Sequence, residues 1–154
     1  MTDYQRKLNF DEDVEIVYVQ GWKGKGDTQI YEGPEQYKII EFRKNKETGH
    51  VNEDYHIINK LDVLFLWDKI IKPLELGEKY GYKYLVRKLI ELRGINLKEN
   101  VSVEIMMEAF NGGTNRSKYY FPLYYYPMKV LEAKGYIQYW GRGGISRLED
   151  GELR

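Results

Sequence analysis

The stretch that decides the fold lies near the carboxyl end, where residues 128–144 read Met-Lys-Val-Leu-Glu-Ala-Lys-Gly-Tyr-Ile-Gln-Tyr-Trp-Gly-Arg-Gly-Gly. Its first part has apolar residues at helical spacing, and Gly135 is a typical helix stop signal. The apolar segments 136–140 and 145–148, separated by a glycine-rich tip, are typical of a β-hairpin. The sequence therefore predicts a helix that runs directly into a hairpin with an arginine at its tip.

Three further helices are predicted upstream of this stretch. They follow Asn59 as far as Pro73, span about residues 80–92, and span residues 104–110. Asn59 and Ser102 are typical N-cap residues, and Gly94 is a typical stop signal. Residues 101–103 are expected to form a very short strand. The region from Asn59 onward is therefore mainly helical up to the hairpin.

Two prolines complicate the segment between the third helix and the hairpin. Pro122 and Pro127 both fall inside residues 114–134, where helical spacing is otherwise expected. Proline in a helix interior removes an amide donor and clashes with the preceding turn, but it is favoured at the first helical position. We therefore expect the helix to start at one of these prolines, after an irregular loop over residues 114–121.

The amino-terminal third has the pattern of a small antiparallel sheet. Segments rich in β-branched and aromatic residues, separated by turn residues, predict four strands over residues 14–22, 29–31, 35–44 and around 55–58. The fold class expected is α+β, with a sheet region over 1–58 and a helical domain over 59–154. No linker is evident between them, so one compact body is left open.

Composition excludes several classes of protein. The chain has 154 residues, of which 42% are hydrophobic and 31% charged, and it has no cysteine. These values exclude a disordered chain, disulfides, thiol nucleophiles and cysteine-based zinc sites. Because neither a signal peptide nor a membrane-spanning stretch is evident, we expect a cytoplasmic protein. The fifteen tyrosines, with abundant Lys, Glu and Ile, also fit a thermophile, such as an archaeon or its virus or plasmid.

Charge is distributed unevenly although the net charge is zero. Residues 115–148 contain six basic side chains and one acidic one, a net of +5, and they overlap a cluster of tyrosines. A basic, aromatic segment is typical of a phosphate-binding face. The alternative is an ordinary solvated surface with chance clustering.

The order helix, short strand, helix, glycine turn, longer helix and hairpin, with the 128–144 stretch at its end, resembles the winged helix-turn-helix DNA-binding family over residues 59–148. The resemblance implies binding to double-stranded DNA, with a helix in the major groove and the hairpin as a wing beside the backbone. It implies a transcriptional regulator, or a replication or maintenance factor of a mobile element. No cofactor and no metal are expected, and a homodimer is left open.

The DNA-binding residues predicted from this reasoning share a position in the basic block, at the helix entry, along the helix or in the wing. They are Asn115, Arg116, Ser117, Lys118, Tyr119, Tyr120, Tyr124, Lys129, Arg142 and Arg147. Basic side chains would neutralise phosphates, while exposed tyrosines would contact phosphate or stack on unpaired bases. Some of the tyrosines are instead expected to pack in the core.

Two other function classes stay open. Asp27, Glu41 and Lys44 fit, as an alternative, a magnesium-dependent nuclease with carboxylates on the amino-terminal sheet, although an arginine stands where the lysine of such a site is expected. A protein-interaction module on a winged-helix scaffold is the third class. His50 and His56, which flank two acidic residues, match no metal-binding spacing and are interpreted as ordinary surface residues.

Overall fold

The computed structural model describes residues 15–19, 28–95 and 100–154. It contains antiparallel sheets and helices, so the predicted α+β class is confirmed. The chain divides into two compact units, Met1–Lys60 and Leu61–Arg154. No helix in the described part of the chain is both long and apolar enough to cross a membrane.

The first unit is built on a four-stranded antiparallel sheet with the strands in sequence order. Its strands are β1 (Glu15–Val19), β2 (Thr28–Glu32), β3 (Gln36–Lys44) and β4 (Val51–Asn59). Ile30 lies opposite Ile39, and both are almost fully buried, as expected for β-branched residues on paired strands. The predicted strands are thus confirmed where they are described, although β4 begins well before the apolar residues that indicated it.

The second unit is mainly helical. Its helices are α1 (Lys60–Phe65), which continues in π-helical turns over Leu66–Ile71, then α2 (Tyr82–Arg93), α3 (Val103–Phe110), α4 (Gly113–Asn115), a π-helical segment over Arg116–Tyr125, and α5 (Tyr126–Ala133). Ser102 caps α3 as predicted, since its hydroxyl accepts the Ile105 amide at 3.3 Å. The short strand expected over 101–103 is wrong, because this cap and the first turn of α3 occupy those residues.

The loop expected over residues 114–121 is also wrong. Helical backbone is continuous from Gly113 to Ala133, and Pro122 lies inside it. The turns around the proline are π-helical, with the amide of Tyr126 bonded to the carbonyl of Phe121, five residues earlier. The wider turn leaves room for the proline ring, and Pro127 lies in the first turn of α5, where a missing amide costs little.

The predicted hairpin is confirmed and belongs to a small three-stranded sheet. Strands β6 (Ile137–Tyr139) and β7 (Ile145–Arg147) pair with each other, and β5 (Lys79–Tyr80) pairs with the other side of β7. The tip is a 3₁₀ turn over Gly141–Gly143. Gly144 has a φ of +100°, and a Cβ there would lie 1.9 Å from the Tyr80 carbonyl oxygen. Only glycine therefore allows β5 to approach the hairpin this closely.

The core of the second unit is centred on Trp67. Its side chain is fully buried, packs edge-to-face on Tyr136 at 4.9 Å, and donates to the Gly151 carbonyl at 3.1 Å. Apolar side chains from several helices and the hairpin are buried in the same unit, namely Leu66, Ile71, Leu85, Leu89, Phe110, Met128, Leu131 and Ile145. Their burial supplies the main stabilising free energy of this unit.

Arg147 is buried on β7, and its guanidinium donates hydrogen bonds to backbone carbonyl oxygens in two loops. It donates to the Leu74 carbonyl at 2.7 and 3.0 Å and to the Glu149 carbonyl at 3.0 Å. Asp150 accepts a further bond at 3.1 Å. Because the Leu74 bonds are buried, this arginine satisfies an acceptor that water does not reach.

We therefore expect Arg147→Met to lower the free energy of unfolding by about 2 kcal/mol, because the Leu74 carbonyl loses its donors. Urea denaturation of the full chain measures this. The control is Arg142→Met, which removes the same charge from an exposed tip residue and should change stability by less than about 0.5 kcal/mol. Equal stability of the two variants would contradict the role given to Arg147.

Candidate functional site

The start of the long helix presents a group of polar residues to solvent. Arg116, Ser117 and Lys118 are exposed, while Asn115 and Tyr119 are half-buried. Gly112 and Gly113 precede them, and Gly113 has a φ of +54°, a conformation that glycine adopts without strain. This turn lets the chain leave α3 and begin the next helix at once, so that its first turns project these side chains outward.

Aromatic rings beneath the two cations orient them. The Arg116 guanidinium lies 5.1 Å from the Phe121 ring and 5.8 Å from the Tyr120 ring, and the Lys118 ammonium lies 5.2 Å from the Tyr119 ring. Cations over ring faces are attracted by about 0.5–1 kcal/mol at exposed sites. The charged groups therefore lie over aromatic rings, while both residues remain exposed to solvent.

Arg142 reaches the same region from the hairpin tip. Its guanidinium lies 5.8 Å from the ring of Tyr82, the first residue of α2. The Tyr82 ring packs edge-to-face on Tyr120 at 6.3 Å, and Tyr120 is the ring over which Arg116 lies. Two arginines that are 26 residues apart in sequence thus flank one pair of tyrosines.

The electrostatics of Tyr82 agree with this arrangement. Burial raises the pKa of its hydroxyl to about 12, while the charges of Arg142 and Arg116 act in the opposite direction. Both arginines also oppose the rise that burial causes in the pKa of Tyr120. The two tyrosines are therefore neutral at physiological pH and form a polar, uncharged base between two cations.

We call Arg116, Lys118 and Arg142 the cationic face. All three side chains are exposed, and within the described part of the chain none of them makes an ion pair. Two acidic residues of the same unit are paired with other arginines, Glu104 with Arg87 and Asp62 with Arg93. An unneutralised group of cations on an aromatic base suits contact with an anionic polymer.

Two of the predicted contact tyrosines lie in the interior instead. Tyr120 is 5% exposed and Tyr124 is fully buried. Tyr124 packs on Tyr82 and Tyr120, its hydroxyl has no hydrogen-bond partner in the structure, and burial raises its pKa. The prediction that they contact DNA is therefore wrong, because the helix turns these rings toward α2.

Two predicted basic contacts are also interior. Lys129 is 3% exposed, and its ammonium lies 5.4 Å from the Tyr125 ring. The buried Arg147 side chain donates hydrogen bonds to backbone oxygens, as described above. The predicted contacts that remain accessible are Asn115, Arg116, Ser117, Lys118, Tyr119 and Arg142.

Sequence analysis missed Tyr82. No motif marks this residue, and its only local signal is its place after Gly81 at a helix start. Its importance comes from the ring contacts with Tyr120, Tyr124 and Arg142, all distant in sequence. Such contacts become visible only when the elements are packed.

Of the residues of the alternative nuclease site, the side chain of Glu41 is the part that the structure describes. Glu41 lies on β3, opposite Asp54, and its carboxylate is 3.0 Å from His56 Nε2. Asp27 and the side chain of Lys44 lie outside the described residues. Among the residues that are described, no group of three or more His, Asp or Glu side chains could hold a metal ion.

The burial of the Tyr124 hydroxyl without a partner can be tested with a matched pair of tyrosine-to-phenylalanine variants. Tyr124→Phe should leave the free energy of unfolding unchanged or raise it by up to about 1 kcal/mol, because the deleted hydroxyl is buried without a partner. Tyr136→Phe should instead lower it by about 1–2 kcal/mol. The Tyr136 hydroxyl accepts from the Arg154 amide at 2.7 Å and donates to the Glu152 carbonyl at 3.3 Å. Urea denaturation of both variants measures this, and a larger loss at Tyr124 would contradict the assignment.

Comparison with known proteins adds no family to these observations. No family model, no curated protein and no solved structure matches the chain. The interpretation of the site therefore depends on its own residues, their exposure and their charge.

Proposed function

We propose that this protein binds double-stranded DNA through the cationic face. The observation that carries the proposal is the meeting of Arg116, at the start of the long helix, with Arg142, at the hairpin tip, around the Tyr82–Tyr120 pair. Lys118 lies two residues after Arg116 on the same helix start, over the Tyr119 ring. Three accessible cations without ion-pair partners in the described chain are suited to phosphate contacts. Asn115 and Ser117 beside them add hydrogen-bonding groups.

The element order supports a docking mode like that of winged-helix proteins. A helix followed by a hairpin allows the helix start to approach the major groove while Arg142 reaches the adjacent backbone or minor groove. Few side chains on this face can read base edges, since Tyr120, Tyr124 and Lys129 are interior. We therefore infer that backbone contacts supply most of the affinity.

The biological role that fits this mode is a transcriptional regulator, or a replication or maintenance factor of a mobile element, acting in the cytoplasm. With roughly three phosphate contacts, log affinity should fall against log salt with a slope of about −2.7. Such binding would depend strongly on ionic strength and only weakly on sequence. The nuclease alternative gains no support from the described residues.

The cations at the helix start give a test of this proposal. The double variant Arg116→Ala, Lys118→Ala should flatten the salt slope by about 2 and weaken all duplexes to a similar degree, because each lost phosphate contact contributes roughly 0.9. Fluorescence anisotropy with duplexes of unrelated sequence, over a range of salt concentrations, measures both effects.

The control makes the same change in net charge at residues that do not belong to the cationic face. Lys46 and Lys69 are both exposed, so Lys46→Ala, Lys69→Ala removes two charges without touching the long helix. It should leave the slope unchanged. Loss confined to one sequence would indicate base reading, and an unchanged slope in the folded helix variant would favour the protein-interaction module instead.

The arginine at the hairpin tip gives an independent test. Arg142→Ala should weaken duplex binding and reduce the salt slope by about 0.9, since one phosphate contact is lost. The melting temperature should hardly change, because exposed turn residues stabilise little. Anisotropy and thermal denaturation of the same preparation measure the two quantities. Unaltered affinity in a folded protein would remove Arg142 from the interface.

A further inference from the structure

A pocket of about 510 Å³ lies between α2 and α3. Tyr82, Lys83 and Arg87 line it from α2, while Glu104, Met107 and Glu108 line it from α3. Its volume is within the range of small-molecule sites, which run from about 300 to 1,000 Å³. The Tyr82 ring and the Met107 thioether give it apolar surface.

The charges around the pocket are paired at one end and unpaired at the other. Arg87 donates to Glu104 at 2.5 Å, which joins the two helices and lowers the pKa of that carboxyl. One helical turn away, Lys83 and Glu108 line opposite walls, and neither has an ion-pair partner in the described part of the chain. The pocket therefore offers one free cation and one free carboxylate to an occupant.

Asn111, which ends α3 and also lines the pocket, supports an occupant with a hydrogen-bond donor. Its Oδ1 atom is buried and has no partner in the structure. An unmet buried acceptor costs about 1–3 kcal/mol, so rotation of the amide toward a donor in the pocket would be stabilising. Asn111 and Glu108 lie at the same end of α3, so their two acceptors belong to the same wall.

We propose that this pocket binds a zwitterionic α-amino acid with an apolar side chain. The ligand carboxylate pairs with Lys83, where α2 begins, and its ammonium group donates to Glu108 and to Asn111 after a small rotation of that amide. The side chain packs against Met107 and the Tyr82 ring. The inference does not rest on DNA binding, because Lys83, Glu108 and Asn111 lie outside the cationic face; the Tyr82 ring is common to the two sites.

The probe is L-phenylalanine, titrated into the isotopically labelled full chain and followed by amide NMR. Two matched analogues remove one charge each: phenethylamine lacks the carboxylate and 3-phenylpropionate lacks the ammonium. L-phenylalanine should shift amides of α2 and α3 around the pocket, and each analogue should bind about threefold or more weakly. No shift at about 10 mM, where millimolar affinity would be visible, overturns the proposal. Equal binding of all three compounds also overturns it.

Variants of the two unpaired charges locate the site. Lys83→Met and Glu108→Gln should each weaken L-phenylalanine about threefold or more, and the first should abolish the preference over phenethylamine. The controls, Lys88→Met and Glu91→Gln, make the same changes on α2 at residues that do not line the pocket, and they should bind as the unchanged chain does. Weakening by the controls, or none by the pocket variants in a folded protein, overturns the proposal. This experiment measures binding of the amino acid and not of DNA. A negative result here therefore leaves the DNA proposal untouched, and the reverse also holds.

Discussion

The buried guanidinium of Arg147 fixes the hairpin within the second unit, and the position of the exposed cations depends on that hairpin. Strand β7, which carries it, lies between β5 and β6, and the buried bonds to Leu74 tie this central strand to the connection after α1. The close approach of Gly144 to Tyr80 completes the contact between hairpin and β5. With the hairpin held on both sides, its tip has a defined position, and Arg142 lies over the ring of Tyr82 rather than extending freely into solvent. A buried charge therefore orients an exposed one.

The π-helical turns around Pro122 have a comparable effect on the long helix. A regular α-helix would be interrupted by the proline, and the residues before it would lose their helical positions. Because the wider turns accommodate the ring, Arg116 and Lys118 remain on the first turns of a helix that continues into α5. The end of this helix is in turn joined to the hairpin, since Glu132 accepts the amide of Tyr139 at 3.0 Å. Helix and hairpin thus form one support for the cationic face.

Local patterns were sufficient for much of the fold. The Ser102 cap, the hairpin after Gly135 and the strands of the first unit could be predicted because each depends on residues close in sequence. The loop over 114–121 was predicted wrongly because proline rules describe α-helices, and a π-helical turn removes the clash on which they depend. For the site, Arg116, Lys118 and Arg142 were identified from their charge and their position at a helix start and a hairpin tip, where exposure is expected.

The sequence by itself determined the fold class, the strands of the first unit, the hairpin and the presence of a basic, tyrosine-rich segment in the carboxyl half. Only the tertiary structure decided which members of that segment are surface residues. Lys129 and Arg147 have the same charge as Arg116 and Arg142, yet both are buried. Lys129 lies against the Tyr125 ring of its own helix, whereas Arg147 donates to the carbonyl of Leu74, which is distant in sequence. The ring contacts of Tyr82 and the pocket between α2 and α3 likewise form only once the helices are packed. Burial and pairing depend on residues that are distant in sequence, and a local pattern contains no information about those partners.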